Sequence, residues 1–211
     1  MSSTRAATSP DAKLPVLVDV YGGPGHQEVL AARGRWLERQ WWADAGFAVV
    51  VVDNRGTPGV APSFEKVVHR RLADVILTDQ VDALLALADK HSDLDLSRVA
   101  IRGWSFGGWL AALAVLRRPD VYRCAIVGAP VTDWTLYDTA LHRALPRACR
   151  ATAGDVYAHN SLLEAAAEPP IRPDEARPML HRSRARRRQR RGRPYLAAVR
   201  CVARGWPPAL R

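Results

Sequence analysis

The chain has 211 residues, 48% of them apolar, enough for one sizeable core and at most two domains. It contains no run of about 18 apolar residues, which argues against a membrane span. The net charge of +10 suggests a polyanion partner only until it is divided. Residues 1–140 balance to −1, whereas residues 141–211 hold 16 Arg and 5 acids and balance to +11.

The polar start, Met1 to Lys13, lacks the basic-then-apolar layout of a signal peptide, so a cytoplasmic location is expected. Residues 1–13 read as a disordered N-terminus. Leu14–Tyr21 is an apolar run that predicts a strand and ends in the Gly-Gly-Pro-Gly loop of residues 22–25. Val29 to Ala45 has helical spacing. Phe47–Asp53 is a continuous β-branched run, the pattern of a parallel strand buried on both faces. Leu72 to Lys90 predicts an amphipathic helix, with Val75, Leu77, Val81, Leu84, Leu85 and Leu87 set among acids. Val99–Gly103 and Cys124–Val127 predict further strands, and Phe106–Leu116 a helix between them. This alternation implies an α/β fold with a doubly wound, mostly parallel sheet.

Past Ala140 the period is lost, returning as a helix-compatible stretch over Asp155–Ala167. From residue 181 the chain becomes an Arg-rich tail, with eight Arg in the twelve residues 182–193. Unpaired guanidinium groups are too costly to desolvate, so the tail, residues 181–211, is expected to be disordered. Residues 14–180 then form the folded domain. Cys124, Cys149 and Cys201 show no metal or redox spacing, and neither a metal nor another cofactor is expected.

The sharpest motif is Gly103-Trp104-Ser105-Phe106-Gly107-Gly108. A Gly-x-Ser-x-Gly string alone is weak, but here it lies between a predicted strand and a predicted helix, where a nucleophile elbow requires it. Small residues flank the sharp turn, and the helix N-terminus sits near any developing negative charge. The plainer alternative is an N-cap serine on a Gly-rich turn. Acyl transfer also needs donors aimed at the tetrahedral oxyanion. The phenol of Tyr21 and the backbone N–H of Phe106 are the candidates. The loop residues Tyr21–Gly25 read equally well as a β-turn bearing a half-buried tyrosine.

The strings VYGGPG, VDNRGTPG, IRGWSFGGWLAALA and APVTDWTLYD together resemble the catalytic domain of the prolyl oligopeptidase and dipeptidyl peptidase IV family, over about Leu14 to Asp138. The resemblance implies an α/β-hydrolase fold and a serine peptidase acting on peptide substrates. It matches Ser105 to the nucleophile and Tyr21 to the tyrosine that assists the oxyanion. Val131, Trp134 and Tyr137 match the walls of a small apolar pocket for proline or alanine at the cleaved bond. From the residues alone, Trp134 and Tyr137 read as core aromatics. Asp53, Asn54, Arg55 and Gly56 match a structural loop with no assigned chemistry.

A serine nucleophile needs a base, and the base an orienting acid, which follow in the order Ser, Asp, His in such folds. Asp120, Asp133, Asp138, Asp155 and Asp174 lie outside the family's Asp-bearing pattern. His159 reads as a surface residue, and His181 matches the non-catalytic His that opens that pattern. One choice of codons, read a base later, turns Ala140–Arg147 into His-Tyr-Thr-Glu-Arg-Tyr-Leu-Gly and Arg186–Arg190 into Asp-Asp-Asp-Asn-Val, both family-like. The expectation is therefore a frameshifted C-terminal part, a sheet lacking its last strands, and an inactive enzyme without triad Asp and His. The competing readings are a carboxylesterase on the same fold, since the motif does not choose between ester and amide, and nucleic-acid binding by the tail. Deletion of residues 182–211 separates the last of these. No aromatic residues interleave the arginines of residues 182–193, so no specific nucleic-acid partner is expected.

Overall fold

The computed structural model describes residues 13–134, 150–167 and 179–182. The expected disorder of residues 1–12 and 183–211 concerns positions outside these, as do Tyr137, Cys149 and Cys201. The elements run β1 (Leu14–Val20), α1 (Arg33–Asp44), β2 (Ala48–Val50), α2 (Pro62–Lys66), α3 (Leu72–Lys90), β3 (Leu94–Trp104), α4 (Phe106–Arg117), β4 (Cys124–Gly128), α5 (Arg150–Asn160), α6 (Leu162–Ala167) and β5 (Met179–Arg182). Five strands form one sheet in the order β2-β1-β3-β4-β5. Every pairing is parallel, as the alternation of strands and helices implied.

Side-chain alternation along the central strands divides the interior in two. Val16, Val18, Val20, Val99, Ile101, Ala125 and Val127 point to one face, where they meet buried residues of α3 and α4. Leu17, Ala100 and Cys124 point to the other, beside Phe47 and the half-buried Trp42 of α1. α4 is buried from Phe106 through Val115, which explains why its sequence is apolar all round. It packs against β3, β4, α3 and α6.

The departures from expectation have local causes. The strand foreseen over Phe47–Asp53 is reduced to Ala48–Val50 at the sheet edge. Its backbone then leaves the ladder, the Val52 carbonyl accepting from Gln80 Nε2 at 3.1 Å, and the Asp53 carboxylate accepts the Glu28 and Val29 N–H groups. The first helix starts at Arg33 rather than Val29. The helix-compatible stretch ending at Ala167 is two helices, α5 and α6, separated at Ser161. β5 went unpredicted and crosses the domain boundary drawn after residue 180, pairing Val127 with His181 and Gly128 with Arg182.

The join between α5 and α6 is tied to the core by Asn160, which is fully buried. α3 begins at Leu72, and its N-cap residue Arg71 makes no side-chain cap. Instead Asn160 Oδ1 accepts the Ala73 N–H at 2.8 Å from 87 positions away, satisfying a first-turn donor that the neighbouring sequence leaves orphaned. Asn160 Nδ2 donates to the Val156 and Arg70 carbonyls, and its own carbonyl accepts the indole N–H of both Trp109 and Trp134. We expect Asn160→Ala, which strands the Ala73 donor, to lower the unfolding free energy by about 1–3 kcal/mol. A shift of the urea midpoint at unchanged slope measures this.

Candidate active site at the carboxyl edge of the sheet

Parallel strands present all their carboxyl ends on one edge, the usual place for a site in an open α/β sheet. Tyr21 follows β1, Ser105 follows β3, and Val131 and Trp134 follow β4, so these candidates share that edge. The tertiary structure brings Ser105, Phe106 and Tyr21 together, and Phe106 links them to Trp134.

Ser105 has φ 56° and ψ −113°, a left-handed conformation rare for a residue with a side chain. Such a conformation costs on the order of 1–3 kcal/mol and persists only where the surroundings fix it. Here the Ser105 N–H donates to the Gly128 carbonyl at 2.8 Å, and the Ser105 carbonyl accepts the Trp109 N–H at 3.0 Å. The glycines around it leave no room for a side chain. A Cβ on Gly103 would collide with the Gly107 carbonyl, one on Gly107 with the Val20 carbonyl, and one on Gly108 with the Gly128 carbonyl. The elbow is therefore β3 and α4 pressed onto the ends of β1 and β4.

Tyr21 is half-buried, and its ring lies 6.0 Å from that of Phe106 and 4.6 Å, edge to face, from that of His26. Gly23 allows this fold-back, since a Cβ there would sit 2.7 Å from Tyr21 Cε1 and 3.1 Å from Phe106 Cγ. Behind the loop, Asn54 Nδ2 donates to the Gly22 carbonyl and Gln80 Nε2 to Asn54 Oδ1. Asn54 and Gln80 are buried, and neither was singled out for the site from sequence. A glutamine on the apolar stripe of α3 was the available signal. Val131 is buried, and Trp134 is 1% exposed, its ring 5.6 Å from Phe106 and 5.4 Å from Trp109. Trp104, beside the serine, is 52% exposed.

The residues weighed for the acid and base are less well placed. His159 is exposed at the end of α5, with Nε2 2.9 Å from Asp74 Oδ2, as a surface histidine would be. Asp120 pairs with Arg118, whose hydrogen bond holds its carboxyl below the ordinary range. His181 lies in β5, whereas Asp138 and Asp174 fall outside the described residues. Among the described residues no group of three or more His, Cys, Asp or Glu could hold a metal ion. No described helix is long and apolar enough to cross a membrane.

A family model for the prolyl oligopeptidase family matches residues 34–168, most of the chain and the whole elbow with it. The chain belongs to the prolyl oligopeptidase family. Curated relatives agree. Dipeptidyl peptidase 8 of Homo sapiens is 40% identical over 132 residues, 62% of this chain and 15% of that protein. Dipeptidyl peptidase family member 2 of Caenorhabditis elegans is 34% identical over 141 residues, 66% of this chain and 17% of that protein. A probable dipeptidyl peptidase 4 of Emericella nidulans is 36% identical over 137 residues, 62% of this chain and 17% of that protein. The chain thus spans about a sixth of the length of these relatives. The sheet order and the elbow are those expected of a family built on the α/β-hydrolase fold.

Loop and elbow generate two expectations. Gly107→Ala should destabilise by about 3 kcal/mol, because its Cβ meets backbone that cannot move aside, and urea denaturation reads the loss. Burial raises the Glu28 pKa, but hydrogen bonds from Arg39 and His26 outweigh it and hold the carboxyl below its ordinary value. Glu28 therefore adds stability that is complete above the ordinary carboxylate range and lost as pH falls through the lowered folded value. Glu28→Gln should flatten that acid limb in denaturation curves taken across pH.

Proposed function

We propose that this segment carries the nucleophile of a serine peptidase that cleaves peptide bonds after proline- or alanine-type residues. The left-handed Ser105, fixed between β3 and α4, carries the reading. In this mechanism Ser105 Oγ attacks the carbonyl carbon of the scissile bond, forming a tetrahedral oxyanion. The Ser105 N–H is already engaged by Gly128, which leaves the Phe106 N–H, at the first position of α4, as the backbone donor to the oxyanion. The Tyr21 phenol supplies the second donor. Collapse expels the amine and leaves an acyl-enzyme on Ser105, which water then hydrolyses. The family resemblance assigns Val131, Trp134 and Tyr137 to the apolar pocket for the residue before the cleaved bond, and the Asn160 carbonyl holds the Trp134 indole.

Proton transfer from Ser105 requires a base, and neither triad partner stands in the family's pattern in this sequence. In the frameshifted form we infer, arginines replace the family's acid-bearing stretch, and loss of base and acid lowers the rate by roughly 10⁴–10⁶. The frameshift reading draws support from β5, which pairs in parallel with β4 and ends at Arg182, the first arginine of the run. The coding DNA, read one base later there, is expected to give Asp-Asp-Asp-Asn-Val.

The activity test is cleavage of Ala-Pro or Gly-Pro p-nitroanilides by the purified chain. Turnover at ordinary family rates overturns the proposed inactivity. Any residual turnover is expected to disappear in Ser105→Ala, and turnover that survives overturns Ser105 as nucleophile.

A further inference from the structure

The loop after Tyr21 contains a polar chain that neither the fold nor the proposed chemistry accounts for. His26 Nε2 donates to Glu28 Oε1 at 2.8 Å. Glu28 is anchored on three further sides. Its other carboxylate oxygen accepts from Arg39 Nη2, Arg35 Nη1 lies 3.7 Å from Oε1, and its backbone N–H donates to Asp53 Oδ1 at 2.8 Å. Arg39 is itself buried, with Nε 2.8 Å from Asp19 Oδ2 on β1. The imidazole is therefore tethered to the sheet on which Tyr21 is mounted.

Its ring stands edge to face on Tyr21, while Phe106 approaches Tyr21 at 6.0 Å. The Gly23 backbone closes a further side of the phenol ring. The position of the phenol is thus set by neighbouring rings and backbone, not by the two torsions of the tyrosine alone.

We propose that His26, tethered by Glu28, is a positioning residue that braces the Tyr21 ring toward the elbow. The inference rests on the reading of Tyr21 as an oxyanion donor only for its consequence in catalysis. The brace is a statement about ring placement. An oxyanion donor has to wait where charge will develop, and a displaced donor forfeits most of its effect.

The test labels the tyrosine rings with ¹³C and assigns Tyr21, one of five tyrosines, by the signal missing in Tyr21→Phe. In His26→Ala the Tyr21 ring signal is expected to move while the other tyrosine signals stay in place, which also shows that the fold is intact. His26→Phe, which keeps an aromatic edge, is expected to restore most of the shift. Glu28→Ala, which releases the imidazole, is expected to move the same signal in the same direction. An unmoved Tyr21 signal in His26→Ala overturns the proposal, as does failure of His26→Phe to restore it. An unmoved signal in Glu28→Ala overturns the tether. Where cleavage is measurable, His26→Ala should lower kcat about tenfold with KM unchanged. Absence of cleavage by the unmodified chain is the outcome the proposed inactivity predicts and leaves the brace standing, whereas turnover that survives Ser105→Ala overturns the nucleophile reading without touching the brace.

Discussion

Backbone meets backbone around Ser105 at three places where no Cβ fits. Gly103 lies against Gly107, Gly107 against the end of β1 at Val20, and Gly108 against the end of β4 at Gly128. These approaches let α4 start directly above the sheet, and that geometry forces the serine to positive φ. The strain is local, and the surrounding structure holds it through the Ser105–Gly128 hydrogen bond and the long apolar burial of α4. Everything proposed for the site depends on this compression, because it places the hydroxyl and the Phe106 N–H at the same edge.

The two faces of the sheet do different work. The face covered by α3 and α4 is a continuous apolar core, with Trp109, Leu110, Ile76 and Leu84 buried in it. The face covered by α1 has a small apolar cluster and a run of charges. Asp19 of β1 and Arg102 of β3 sit opposite one another in register and pair at 3.4 Å, Arg102 also reaches Glu38 of α1, and Arg39 joins Asp19 to Glu28. Breaking one partner of so enclosed a network would leave charge uncompensated, so the network fixes geometry more than it adds stability. It leads from the sheet to His26 beside Tyr21.

Buried polar side chains do the corresponding work on the other side. Asn160 joins the start of α3, the α5–α6 junction and the indoles of Trp109 and Trp134. Gln80 and Asn54 hold the loop at Gly22. Each is nearly free of solvent contact, and each links segments far apart in the chain.

The sequence by itself determined the strand–helix alternation, the bounds of α3 and the sharp strand-to-helix turn at Ser105. Each is written in a contiguous stretch, as a period, an apolar run or a set of glycines around one serine. It also determined the family, through strings distributed over the first two-thirds of the chain. Tertiary structure alone decided the length of β2, since a β-branched run joins a sheet only while its backbone has a ladder, and here the Val52 carbonyl turns to Gln80. It alone revealed β5, a short segment whose pairing with β4 no periodicity announces. It placed Asn160 and His26 for the same reason: their roles are contacts with residues remote in the chain or folded back upon it, and composition and spacing encode neither.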